Sequence, residues 1–267
     1  MPKVSIITVN LNNKDGLEKT INSVINQEFK DFEYIVIDGA STDGSIDVIH
    51  KYKDEIAYWV SEKDSGIYNA MNKGIQKAKG EYLLFLNSGD FFLDKNSLLK
   101  PDFTSYRNII TCGIIVELKK ILSQKYYFVN KPIKKTFFAR IGFIPHQSTF
   151  IKKELFQKFG LYDESYRISG DYEFFMRLYF NGEMKYVVCK EAISVYDDMG
   201  ISANPKERKR QNQEYKKMIK CNAPFICRYY MLSILALRNT IRPVFRRIAR
   251  FFGVLYLYHR FGLKKSQ

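Results

Sequence analysis

The chain has 267 residues, of which 46% are hydrophobic, 15% aromatic and 27% charged. That apolar fraction excludes a wholly disordered chain and suits one large domain, or one domain with an appendage. The net charge of +15 is unevenly spread: residues 204–267 carry 16 Lys and Arg against two acids, while residues 1–203 come to +1, which is not the pattern of a uniformly basic nucleic-acid protein.

In chain order, Val4 to Val9 is a β-rich apolar run followed by a polar turn, Asn10 to Gly16. Leu17, Ile21, Val24 and Ile25 then recur at helical spacing, with Asp15 as the expected N-cap. Phe32 to Asp38 is a second buried-type strand, which predicts a parallel pair with a right-handed crossover. Ser45 to Tyr52 reads as a helix, Ala57 to Val60 as a short strand, Ile67 to Lys79 as a helix and Glu81 to Leu86 as a fourth strand. Residues 107–130 read as antiparallel β structure. Glu154 to Phe159 and Asp171 to Phe180 read as helices, and Lys185 to Cys189 and Ile193 to Tyr196 as two short strands. Strands alternating with helices predict an α/β fold with the sheet between helix layers. The composition turns basic and helical after Asn204, so a boundary is expected near 203.

Cys112, Cys189, Cys221 and Cys227 form no CxxC pair and no zinc pattern. The first apolar run is too short for a signal-peptide core, so reduced thiols in a cytosol are expected. The longest apolar run, Tyr229 to Leu237, falls well short of the roughly 20 residues that span a bilayer.

Ligands of open α/β sheets bind beyond the carboxyl ends of the strands. Asn10, Asp38, Glu62, Asp64, Asn87 and Asp90 fall at those ends here. One such residue is an ordinary cap or turn former; the succession favours a shared polar cleft. Neither GxGxxG nor GxxxxGK[ST] is present, which disfavours a dinucleotide oxidoreductase and a P-loop phosphotransferase. Asp90 follows a hydrophobic strand, where a carboxylate can hold a hard divalent cation that binds phosphate oxygens in turn.

Five segments together resemble glycosyltransferase family 2, of the GT-A fold: VSIITVNLN (4–12), SVINQEFKDFEYIVIDGASTDGS (23–45), EKDSGIYNAMNKGIQKAKGEYLLFLNSGD (62–90), GFIPHQSTFIKKELFQKFGLYDE (142–164) and ISGDYEFFMRL (168–178). They cover most of 1–203 and are similar to a branch used for bacterial surface polysaccharides. The resemblance implies that Thr8, Asn10 and Asp38 contact the nucleoside. It puts Asp64 and Asn72 beside the ribose and diphosphate, with Lys73 nearby. It implies that Asp90 coordinates Mn²⁺ or Mg²⁺ and that Asp171 is the catalytic base of an inverting transfer. His146 and Gln147 would line the donor and acceptor side of the cleft, with Asn87 at the metal motif and Glu173 binding acceptor or supporting the base. Two departures stand out. The family's Asp-Asp-Gly-Ser is Asp38-Gly39-Ala40-Ser41 here, which removes one nucleoside-binding carboxylate. The other acidic position of the metal motif is Gly89, with Asn87 where many members have Asp.

Read without the resemblance, Asp171 is a helix cap, His146 a structural histidine, Lys73 a solvated cation and Trp59 a core residue. With it, the chain reads as a metal-dependent hexosyltransferase that moves a sugar, UDP-linked for preference, to a polyprenyl-linked saccharide. The alternative is a catalytically silent sugar-nucleotide or polysaccharide-binding module of the same fold. Residues 225–262 interleave aromatic and aliphatic residues with Arg. A helix of that kind lies in an anionic membrane interface or packs on a second subunit of a homo-oligomer. The expectation is a transferase domain at 1–203, a basic helical extension at 204–267, and a cytoplasmic protein peripheral at the inner face of the plasma membrane, with no nucleic-acid partner.

Overall fold

The computed structural model describes residues 1–105, 107–118, 123–127, 129, 133–134, 137–138, 144–197, 200, 202 and 204–251. The first half alternates β1 (Val4–Asn10), α1 (Lys14–Ile25), β2 (Phe32–Asp38), α2 (Ser45–Lys51), β3 (Tyr58–Ser61), α3 (Ile67–Lys77) and β4 (Tyr82–Phe85). Then follow β5 (Phe91–Phe92), β6 (Ile109–Leu118), β7 (Ser123–Tyr127), β8 (Thr149–Lys152), α4 (Lys153–Phe159), α5 (Gly170–Phe180), β9 (Tyr186–Asp197), α6 (Arg208–Asn222) and α7 (Phe225–Phe251).

The strands form one mixed sheet in the order β3-β2-β1-β4-β8-β6-β9-β5, with β7 paired to β6. β1, β2, β3 and β4 are mutually parallel where they pair, and β8 joins β4 and β6 antiparallel. All seven residues of β1 are buried, which is why the strand reads as a continuous rather than alternating run. Val4 and Ile6 pack with Leu17, Ile21 and Val24 of α1 and Val48 and Ile49 of α2. Ile7 points to the opposite face, where a Cβ at Gly74 of α3 would lie 2.5 Å from its Cγ2. Helices therefore cover both faces of the sheet, and Gly74 lets α3 seat directly on it. On α4 and α5, Phe156 and Phe174 stack at 4.3 Å, and Tyr162 meets both edge-on.

The structure departs from the sequence reading in four places. Asn13, not Asp15, caps α1, its side chain accepting from Gly16 N–H at 3.3 Å. Asp15 sits in the first turn, where its charge still complements the helix dipole. The two short strands expected over 185–196 are one strand, β9, whose polar Lys190 and Glu191 are absorbed as an irregularity in its pairing with β6. The short strands β5 and β8 were not expected; too few residues show a period. Finally, the chain forms two compact units, residues 1–131 with 143–222, and residues 132–142 with 223–267. Helix α6 thus belongs to the first unit. Its charged surface hides a buried stripe, Glu214, Tyr215, Met218 and Ile219, so the charge boundary near 203 is not a packing boundary.

Glu214 ties α6 to the start of α5. It accepts from the backbone N–H groups of Arg167 at 2.8 Å, Ile168 at 3.1 Å and Ser169 at 3.0 Å. Glu214→Ala leaves those amides without an acceptor and should lower unfolding free energy by about 3 kcal/mol in urea titration. A change within 0.5 kcal/mol or so would contradict this assignment.

Candidate active site

Strands β1, β2 and β3 end level with one another. Asn10 pairs with Asp38, and Asp38 with Ser61. The buried Asp38 carboxylate accepts from Asn10 Nδ2 at 2.7 Å, Ser41 N–H at 2.9 Å, Ser41 Oγ at 2.6 Å and Ser61 Oγ at 2.6 Å. Burial alone would raise its pKa, but the hydrogen bonds from Ser41, Ser61 and Asn10 outweigh it and hold the carboxyl below its ordinary value. Asp38 is therefore the hub of this pocket. Asn10 Oδ1 is buried with no hydrogen-bond partner, a free acceptor at the strand end. Thr8 is wholly buried; it donates to Leu86 O at 2.7 Å and accepts from Tyr34 Oη at 3.0 Å. Its hydroxyl joins β1 to β4 inside the sheet.

Ala40 adopts a left-handed φ of 61° in the turn after Asp38, a conformation costing roughly 1–2 kcal/mol in a non-glycine residue. Gly39 explains how the pocket manages without a second carboxylate at that position. A Cβ there would lie 2.6 Å from Asp64 Oδ2, so the Asp64 side chain occupies the space that a side chain at 39 would need. Asp64 Oδ1 accepts from Gly66 N–H at 3.0 Å.

Asn72 and Lys73 are occupied within the protein. Asn72 bonds Tyr162 through both amide atoms and donates to Glu164 at 2.9 Å. Lys73 pairs with Glu62 at 2.8 Å and donates to Lys63 O at 3.1 Å. The sequence reading missed Glu164. It also accepts from Asn69 at 2.9 Å and Ser65 at 3.4 Å, so it anchors the loop that carries Asp64.

Beyond β4 the turn Asn87–Asp90 is fixed from three sides. Ser88 N–H donates to Val9 O at 3.1 Å, and Thr20 Oγ1 donates to Asp90 O at 2.7 Å while accepting from Gly89 N–H at 3.0 Å. Gly89 has a φ of 102°. An acidic residue at this position would be strained, which gives the second departure from the family pattern a structural reason. Asp90 is 5% exposed.

Asp171 lies in the first turn of α5, after the N-cap Ser169, and the cap makes no side-chain hydrogen bond. Its Oδ1 accepts from Tyr68 Oη at 3.0 Å, and its Oδ2 lies 3.2 Å from His146 Nδ1. On the other side of the ring, His146 Nε2 is 3.3 Å from the Asn87 amide. These contacts join Asp171 to the turn that carries Asp90. Burial opposes charge on the imidazole, but the Asp171 hydrogen bond and the charges of Asp171 and Asp90 win, and the His146 pKa is raised. Burial likewise opposes charge on Asp171, and His146 with Tyr68 holds its pKa down. The two side chains are partly buried, and each favours the charged form of the other.

Tyr68 was not singled out from the sequence, although it stands in the GIYNAMNKG segment. Gly170 makes room for it, because a Cβ there would lie 2.9 Å from the Tyr68 ring. Glu173 falls outside the cleft; it is buried against Arg177 at 2.7 Å and Asn222 at 3.1 Å. Gln147 is buried in the short 3₁₀ turn that begins at His146.

No cluster of three His, Cys, Asp or Glu able to hold an ion occurs among the described residues. The donor set at this turn is oxygen-rich: the Asp90 carboxylate and the unpartnered Asn87 Oδ1. A hard cation of the Mg²⁺ or Mn²⁺ type binds one or two carboxylates and completes its shell with water and substrate phosphate oxygens. The residues fit such an ion when it arrives with a diphosphate, and do not form a separate cage.

A mixed α/β sheet with this strand-end site is the architecture of a GT-A glycosyltransferase. The family model described as "Glycosyl transferase family 2" matches residues 5–159, and the chain belongs to that family. It is 32% identical over 210 residues to an uncharacterized glycosyltransferase of Mycobacterium tuberculosis, covering 76% of this chain and 78% of the relative. It is 25% identical over 221 residues to a PGL/p-HBAD biosynthesis glycosyltransferase of Mycobacterium bovis, covering 76% and 80%. Among solved structures it resembles S. aureus TarS residues 1–349 in complex with UDP-GlcNAc, with a TM-score of 0.62 at 16% identity, covering 88% of this chain and 70% of that one. It also resembles the mannosyltransferase PcManGT from Pyrobaculum calidifontis in complex with GDP-Man and Mn²⁺, with a TM-score of 0.64 at 14% identity, covering 96% and 81%.

The lowered pKa of Asp38 fixes a sign. A carboxyl held below its unfolded value, about 4, contributes stability that is complete above that value and is lost as pH falls through the folded one. Asp38→Asn should therefore be clearly less stable than the parent at pH 7, with the gap closing at pH 3 in denaturant titrations. A gap equal at both pH values would refute the network as drawn.

Proposed function

We propose that the protein is an inverting, divalent-cation-dependent hexosyltransferase that uses a UDP-sugar donor. Its acceptor is a saccharide carried on a polyprenyl lipid, its product a bacterial surface polysaccharide, and its place of work the inner face of the plasma membrane. The observation that supports this reading is the chain of contacts from Asp171 through His146 to the Asn87–Asp90 turn, which links the proposed base to the proposed diphosphate end. Complexes of TarS with UDP-GlcNAc and of PcManGT with GDP-Man and Mn²⁺ support a nucleotide-sugar donor and a metal; of the two, TarS supports uracil.

The donor nucleoside lies over the ends of β1, β2 and β3, where Asn10 Oδ1 offers an acceptor and Asp38 holds the turn. Asp90, with Asn87, would hold the cation, which supplies positive charge to the departing diphosphate oxygens. Asp171 takes the proton of the acceptor hydroxyl as its oxygen bonds to the anomeric carbon and the bond from that carbon to the diphosphate breaks. Attack on the face opposite the leaving group inverts the anomeric centre. Tyr68 and His146 fix the carboxylate and keep it ionised at neutral pH.

Asp171→Asn should bind UDP with Mn²⁺ as the parent does, while transfer falls by about 10²–10⁴. Asp90→Ala should lose the gain in UDP affinity that Mn²⁺ gives the parent. Near-normal turnover in the first variant, or an intact Mn²⁺ effect in the second, refutes the corresponding role.

For the membrane surface, helix α7 supplies the support. Phe225, Ile226, Tyr229, Tyr230 and Leu237 are exposed, and at 100° per residue they fall on one side, with the buried Met231 and Leu235 on the other. No described helix is long and apolar enough to cross a membrane. Residues 252–262 of the expected interfacial segment lie outside the described residues. Replacing Phe225, Ile226 and Tyr229 with Ser should abolish co-sedimentation with vesicles containing phosphatidylglycerol; unchanged co-sedimentation counts against an interfacial helix.

A further inference from the structure

The first unit carries an open surface pocket of about 460 Å³ that none of the strand-end residues lines. It is lined by Ser165, Arg167, Arg210, Gln213, Glu214 and Lys217. We propose that this cavity is a phosphoryl-binding subsite that holds the phosphate or diphosphate linking the acceptor saccharide to its carrier. The inference rests on the proposed function and extends it to the acceptor.

Three cations line the cavity and only one acid. That acid offsets one of them and leaves the lining at about +2; its two carboxylate oxygens accept from the amides of Arg167, Ile168 and Ser169 rather than from the cations. Arg210 meets Glu207 at 3.4 Å and Lys217 meets Asp163 at 3.8 Å. Both are partly exposed contacts of the weak kind. Arg167 makes no ion pair among the described residues. The cavity therefore keeps a surplus of positive charge. Two guanidinium groups, an ammonium, a hydroxyl and an amide suit a phosphoryl group, whose oxygens pair with arginine in two-point fashion.

The cavity's position selects the acceptor. Arg167 precedes Asp171 by four residues, at most about 14 Å of extended chain. Ser169, between them in sequence, has a buried hydroxyl with no hydrogen-bond partner. A nucleotide-sugar donor carries one diphosphate, already placed at Asp90. A second anion site, four residues in sequence from the base, is left for the molecule whose hydroxyl Asp171 deprotonates.

The test uses the full-length protein, with Arg167→Gln/Arg210→Gln as one variant and Gln213→Glu as a second that adds negative charge without removing a cation. Binding of inorganic pyrophosphate is measured by calorimetry in EDTA with the donor site saturated by UDP. Both variants should bind it at least tenfold more weakly than the parent, with an unchanged unfolding midpoint and UDP affinity. Pyrophosphate that competes with UDP, or binds the variants as it binds the parent, overturns the subsite. Vesicles distinguish the source of the phosphoryl group. The parent should prefer phosphatidylcholine vesicles doped with geranylgeranyl diphosphate over phosphatidylglycerol vesicles of equal charge, and the variants should lose that preference. Equal loss on both vesicles overturns the assignment to the acceptor in favour of a general headgroup site. Failure of the Mn²⁺ effect on UDP binding would strike the proposed function alone, since the pyrophosphate measurement contains no metal.

Discussion

A carboxylate taken out of water stays ionised only if donors replace the lost hydration, and this site is built around two that do. Asp38 has four donors, all from its own pocket. Asp171 has Tyr68 on one oxygen, His146 on the other, and a backbone hydrogen bond from Tyr172. Without these partners burial would push both toward the neutral acid. The neutral form could neither order the turn after β2 nor take a proton. The arrangement of β1, β2 and β3 with level ends, and of α3 and α5 close enough for Tyr68 to reach Asp171, follows from this requirement.

The two carboxylates differ in what they have left to give. Asp38 is saturated, so it orders the nucleoside pocket without contacting much else. Asp171 has three donors, Tyr68, His146 and the Tyr172 backbone N–H, while a carboxylate offers about four lone-pair sites. It keeps room for an acceptor hydroxyl while its orientation is already set.

The first helices were legible from their helical spacing, the strands β1, β2 and β4 from continuous apolar runs that the sheet buries, and the strand-end polar residues from their place after those runs. The GT-A class and the family came from motif order, which length and composition alone could not supply. What the sequence concealed is specific. Thr8 and Asn72 stand in family positions, but their hydrogen bonds are spent on Leu86, Tyr34, Tyr162 and Glu164, and a motif does not say which way a side chain faces. Tyr68 and Glu164 act through partners far away in the sequence, outside any local pattern: Tyr68 lies 103 positions from Asp171, and Glu164 lies 92 from Asn72. Glu214 was hidden for a different reason, since a helix with a strongly basic surface still buries a four-residue stripe.

Basicity and orientation pull in opposite directions at Asp171. The donors that hold it ionised also lower its pKa, and a weaker base takes a proton less readily. Yet a carboxylate with a higher pKa in the same buried position would spend part of its time protonated and turned to some other acceptor. The acceptor hydroxyl is itself barely acidic, so its proton moves only as the bond to the anomeric carbon forms. At that stage a fixed, fully ionised oxygen contributes more through placement than a stronger but mobile base would, since correct orientation is worth up to about 7–11 kcal/mol of barrier. The Tyr68 and His146 contacts are thus better understood as trading intrinsic base strength for position, in a site where the charge that develops on the departing diphosphate is met elsewhere, at the turn that carries Asp90.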